Sequence, residues 1–150
     1  MITDKLTRFC TATALNTGAA GTYLVGDVVD MQAARDIGQG VPIYLVVSVA
    51  TTATSGGSAT LQVQLASDAQ EAIATDGSAS VHAVSATFAV ADMTAGTNVM
   101  KAIIPMEGVE YERYLGLLQI TGGAAFTAGA IDAFLTPTPA GWKAYADGQN

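Results

Sequence analysis

A chain that performs acid–base, nucleophilic or metal chemistry must bring its reactive side chains together, and here they are scarce. There is one histidine, His82, and one cysteine, Cys10. His82 sits in SVHAVSATFAV, residues 80–90, where alternation puts Ser80, His82, Val84, Ala86 and Phe88 on one side of a strand. A general base needs a matched partner, and Ser85 falls on the opposite face, so this strand supplies none. His82 therefore reads as part of a packed or intersubunit surface. Cys10 lies in FCTATAL, residues 9–15, where a lone cysteine reads as a small buried apolar residue. Asp27, Asp30 and Asp36, followed by Gly38-Gln39-Gly40, faintly resemble an acidic calcium loop. The alternate-position acids of an EF-hand are absent, and turn capping is the expected use. The same two glycines lack the third of a dinucleotide fingerprint and precede a strand rather than a helix. Glu107, Glu110 and Glu112 surround Tyr111 in one loop and read as a solvated face, with Arg113 beside them to pair, rather than as a glycosidase dyad. No catalytic, metal-binding or cofactor-binding residue is expected, and the chain is not expected to be an enzyme.

Large aromatic groups are the better functional material. Trp142 and Tyr145 lie beyond Pro137 and Pro139 in a tail, residues 137–150, too short to pack alone. Either they fold back and seal the open end of the domain, or they anchor the tail in a neighbouring subunit. Trp142, Tyr145 and Arg113 are the candidate interface residues.

Composition narrows the class of partner. Half of the 150 residues are hydrophobic and 13% are charged, with a net charge of -7. Such a chain can bury about two thirds of its unfolded surface as one domain, residues 1–150. Thirteen acids against six Lys and Arg, with no basic cluster, give no footprint for nucleic acid. No apolar run reaches the roughly 18 residues of a membrane helix, and the first ten residues lack a signal-peptide pattern, so neither membrane insertion nor export by that route is expected. One cysteine permits no intrachain disulfide. The low charge fraction points to a surface partly covered by neighbours.

The elements that must position these residues are short strands. The strongest signal is residues 43–68, IYLVVSVATTATSGGSATLQVQLASD, read as a β-hairpin. Its first arm is apolar almost throughout and its second alternates Leu61, Val63 and Leu65 against Gln62 and Gln64, with Gly56-Gly57 between them. Further strands are expected at 9–15, 22–25, 80–90, 99–104, 114–121 and 130–136, the last two as a pair around 122–129. Residues 1–8 form an N-terminal arm, and residues 30–34 form either a helical turn capped by Asp30 or a loop. About eight strands without βαβ alternation predict an all-β sandwich of two antiparallel sheets. A jelly roll fits best, and an immunoglobulin-like sandwich, whose Cys, Trp, Cys pattern is missing, is the runner-up.

The segments DIGQGVPIYLVVSV, SGGSATLQVQLASD, YERYLG and AGAIDAFLT resemble the jelly-roll capsid cement (decoration) proteins of tailed bacteriophages. The resemblance runs from about residue 36 to residue 145. It implies a virion structural protein, made in the host cytoplasm, that forms a homotrimer on the outer capsid surface and clamps adjacent copies of the major capsid protein. It brings no cofactor and no active site. A carbohydrate- or receptor-binding module of a phage tail is the alternative, and a cupin-like enzyme would need a histidine cluster that a single histidine does not provide.

Overall fold

The computed structural model describes residues 4–35 and 40–139. Nine strands carry the described chain: β1 Arg8–Ala14, β2 Gly21–Asp30, β3 Tyr44–Ser55, β4 Thr60–Asp68, β5 Ser80–Val84, β6 Phe88–Ala89, β7 Asn98–Ile103, β8 Tyr114–Gly122 and β9 Phe126–Thr136. The N-terminal arm enters through a 3-10 turn, Lys5–Thr7, whose cap is the Asp4 carboxylate accepting the Leu6 N–H. Among the described residues no helix is long and apolar enough to cross a membrane.

The strands form two antiparallel sheets, ordered β1-β9-β3-β7 and β2-β8-β4-β5, with β6 pairing the far end of β4. Apart from the step from β4 through β5 to β6, every connection crosses from one sheet to the other. Two Greek keys wound in this way make a jelly roll. The all-β class, the two sheets and the jelly-roll plan therefore stand as expected from the sequence.

The central stretch departs from the expected hairpin. β3 pairs with β7 and β9, and β4 pairs with β5, β6 and β8, so the two arms are not hydrogen-bonded to each other. The physical reason lies in their apolar rows. Leu45, Val47 and Val49 on β3 and Leu61, Val63 and Leu65 on β4 all belong to the main core. Side by side in a hairpin, both rows would need another layer to cover them; stacked face to face, they bury each other. Residues 56–59 are accordingly the bend between the layers. The expected last pair separates for the same reason: β8 lies between β2 and β4, and β9 between β1 and β3.

Two other expectations change locally. The single strand over 80–90 breaks into β5 and β6, because the Ser85 hydroxyl takes over a ladder bond. It accepts the Val63 N–H at 2.9 Å and donates to the Ala86 carbonyl at 2.7 Å. Residues 30–34 contain no helical turn. β2 stays extended through Asp30, whose carboxylate accepts the Gln32 N–H at 2.7 Å, the loop alternative.

A second, smaller cluster lies on the outer face of the β2-β8-β4-β5 sheet. The connection 69–79 folds across it and sets Ile73 against Leu118 and Ala66. Gly116 on β8 leaves the space that the Ile73 side chain fills, since a Cβ there would stand 2.6 Å from its Cδ1.

Candidate functional site

Three titratable residues, His82, Tyr111 and Glu112, are brought together at the end of the sheet where β4 and β5 approach the β7–β8 connection. Ser67 continues the inward row of Leu61, Val63 and Leu65, and it pairs across the ladder with Ser80. A register shift between Leu65 and Ala66 lets His82 reach back, so that its Nε2 lies 2.7 Å from Ser67 Oγ. Ser67 Oγ also accepts the Glu112 N–H at 3.0 Å, and Ser80 Oγ donates to Glu112 Oε1 at 2.8 Å. The imidazole stacks on the Tyr111 ring, with centroids 3.8 Å apart and planes inclined at 13°. Tyr111 in turn donates its hydroxyl to the Pro105 carbonyl at 2.7 Å.

His82 therefore has the serine partner that its own strand could not offer, supplied by the neighbouring strand. What the pair can do chemically follows from burial. Ser67 is 0% exposed, so its hydroxyl meets no incoming carbonyl, and its oxygen already accepts an amide proton. The arrangement that satisfies all three groups has the Ser67 proton donated to an unprotonated Nε2. Partial burial lowers the His82 pKa, opposed by the nearby Glu112 carboxylate. The cluster is a polar latch that fastens the 104–113 connection to the sheet.

A pH dependence follows. Between the unfolded histidine value near 6.5 and the lower folded value, the unfolded chain holds more protons than the folded one. Stability is therefore expected to fall as the pH drops through that window and to level off below the folded pKa. Urea midpoints measured from pH 7.5 down to about 5.5 should show the decline in the native sequence, and His82→Gln should flatten it. Equal slopes in both proteins would remove His82 as the cause.

Arg113 does not pair with the loop glutamates beside it. Its Nε and Nη2 bind Asp30 Oδ1 and Oδ2 at 2.9 and 2.8 Å, tying the end of β2 to the start of β8, while its Cζ lies 4.8 Å from the Tyr114 ring centroid. That hydrogen-bonded guanidinium, with the Gln32 N–H, holds the Asp30 carboxyl down to about 2. Both side chains remain open to solvent, at 48% and 41% exposure. Asp30 is thus committed to an ion pair, and among the described residues no three His, Cys, Asp or Glu side chains converge as metal ligands. Asp36, Ile37, Gly38 and Gln39, part of the weighed calcium loop, lie outside the described residues. Burial pushes the Cys10 thiol up to about 12, against a Thr13 hydrogen bond that lowers it, so the thiol stays protonated at neutral pH.

At the open end of the sandwich an apolar groove of about 410 Å³ runs between the sheets, walled by Leu6, Val29, Met31, Ile43, Leu115 and Leu135. Leu6, 76% exposed, stands at its rim. Trp142 and Tyr145 lie outside the described residues.

This architecture coincides with a known sequence family. Residues 9–135 match the sequence model described as Bbp16. The chain belongs to the Bbp16 family. The match takes in β2 to β8 completely and all but the outermost residues of β1 and β9, so the Bbp16 unit is the jelly roll itself. The family name points to a phage protein. Ser67, His82 and Arg113 fall within the Bbp16 match, and the tail aromatics fall beyond it. No curated protein matches the chain.

Sequence reasoning missed Ser67, Tyr111 and Glu112 as partners of His82. A signal was present in Ser67, a hydroxyl that continues an otherwise apolar inward row. The partners themselves depend on strand order, which periodicity does not report.

Proposed function

We propose that the chain is a capsid cement protein of a tailed bacteriophage, a jelly-roll trimer that binds the outer head surface and ties neighbouring major capsid proteins together. The observation that carries this reading is the Bbp16 match over the whole sandwich, a family whose name points to phage. The physical character of the molecule supports it. The half-buried His82 and the buried Ser67 and Cys10 are used within the fold, which favours a structural role over catalysis. The groove and the solvent-facing Arg113–Asp30 pair offer apolar and charged contact points on the surface. A cement protein works by adding buried area at a joint that would otherwise open, through several simultaneous contacts whose avidity exceeds any one of them. In this reading Arg113 sits at such a contact, and no metal, cofactor or nucleic acid takes part.

Light scattering on the purified chain, alone and after mixing with empty heads of the major capsid protein, tests the proposal. The expected result is a particle near three times 15.2 kDa that co-sediments with heads and raises the temperature at which they open. A monomer that ignores heads would overturn both parts. A different oligomer that still binds and stabilises them would overturn only the trimer.

A further inference from the structure

Between Ile104 and Arg113 the chain passes from β7 to β8 over the end of the sheet that carries Ser67 and His82. The sandwich holds both ends of this connection. Ile104 is buried and donates its N–H to the Ile43 carbonyl at 2.8 Å, and the Arg113 carbonyl accepts the Met31 N–H at 2.9 Å. Residues 105–110 are all exposed, and Gly108 lies among them at φ +120 with open space around it, a joint at which the segment can swing. Tyr111 and Glu112 turn back to the sheet, the first stacked on His82 and the second bonded to Ser67 and Ser80.

Such a fastening is sensitive to one proton. Ser67 Oγ accepts the Glu112 N–H, and its own proton goes to the unprotonated His82 Nε2. Once Nε2 is protonated, both ring nitrogens are donors. Ser67 can then accept from the ring only by leaving its hydroxyl proton without a partner, at a site that is closed to water. The charges around the ring do not reverse this. On the connection itself the Glu112 carboxylate favours the protonated ring, and burial opposes and outweighs it. On β4 the Asp68 carboxylate is taken up by the Gln70 and Ala74 N–H groups, and β5 has no charged side chain. Lys101 on β7 pairs with Val46 between the inward Leu45 and Val47, and so points to the outer face of its own sheet.

We propose that the 104–113 connection is an acid-released strap: protonation of His82 opens the cluster, and residues 105–112 lift from the ends of β4 and β5 while both sheets stay closed. The main-chain ladders of β4 with β5 and β8 do not involve the strap, so they survive its opening. Lifting carries the buried Tyr111 ring into water, which keeps the closed form dominant. Acid therefore multiplies a minor open population instead of converting the whole protein.

Amide exchange at the Glu112 N–H, the donor to Ser67 Oγ, reads the opening directly. Its protection should lie at least about a hundredfold below that of the β3 and β8 amides and resist dilute urea, since a local opening exposes little surface. It should fall as the pH is lowered from about 7.5 to 5.5, by at most about tenfold per unit, in step with the titration of the His82 ring followed by NMR. His82→Gln should abolish the fall. Three results would overturn the proposal: Glu112 protection that ignores pH, Glu112 exchange with the same protection and urea dependence as β3 and β8, and an undiminished fall in His82→Gln. The second would leave global unfolding as the only route, and the third would assign the proton to another group. The first two are read in the native chain and decide the matter even where His82→Gln does not fold.

Discussion

Gly26→Ala is expected to destabilise the protein by on the order of 3 kcal/mol, enough to leave much of it unfolded in a domain of ordinary stability. Gly26 lies in β2 at φ +77, a conformation that costs a side-chain-bearing residue roughly 1–2 kcal/mol. Space adds a second penalty. A Cβ at this position would stand 2.2 Å from the Phe9 carbonyl oxygen and 2.5 Å from Cys10 Sγ. The first of these is backbone and cannot swing aside, so β1 and β2 would have to part where the two sheets meet at one edge of the sandwich. The register of β2 against β8 already shifts between Val25 and Val29, marking the bulge that brings the chain so close. Denaturant titration of the variant checks the value. A change below about 0.5 kcal/mol would mean that the close approach is not maintained in solution.

Gln119→Leu carries the second large effect, about 2–4 kcal/mol lost. Leu115, Leu117, Gln119 and Thr121 form the inward row of β8, and Gln119 is fully buried among them. Its Oε1 accepts the Asn16 N–H at 2.8 Å, and its Nε2 donates to the Asn16 carbonyl at 3.0 Å and to Thr121 Oγ1 at 2.8 Å. One amide thus imitates a strand neighbour for the β1–β2 connection. Leucine fills similar volume but leaves two backbone groups and a buried hydroxyl without these bonds, and each such loss costs about 1–3 kcal/mol where water cannot replace it. Because the loop can relax toward solvent, the total falls short of the sum. Thermal unfolding together with amide exchange at Asn16 distinguishes the outcomes. An unchanged melting temperature with Asn16 still protected would show that the glutamine is dispensable.

If the chain binds capsid as proposed, the groove at the open end and the surface around Arg113 are the two contacts it offers. Head binding by Leu6→Asp and by Arg113→Glu would rank the two.

Much of the fold was legible in the chain because short-range physics writes it there. The period-two rows of β4, the continuous apolar run of β3 and the Gly-marked bends identify the strands, and the absence of helical periodicity identifies the class. Inward rows such as Leu61, Val63 and Leu65 named their own core positions. With one histidine and one cysteine, the chain itself offers few groups for acid–base or nucleophilic chemistry.

Tertiary structure decided what lies opposite what. Alternation is a property of one strand and is the same whether its turn leads to a neighbour in the sheet or to the facing sheet; burial of both rows at once selected the second arrangement for β3 and β4. The partner of His82 was hidden for the same reason, since Ser67 lies on the adjoining strand and reaches the ring through a register shift that no local pattern announces. Arg113 shows the limit most plainly. By sequence it belongs to the acidic loop beside it, whereas the β2–β8 ladder delivers Asp30 to within hydrogen-bond distance of its guanidinium. Local residue type and period determined the strands of this protein, and pairing across long loops, driven by the need to cover two apolar rows together, decided its sites.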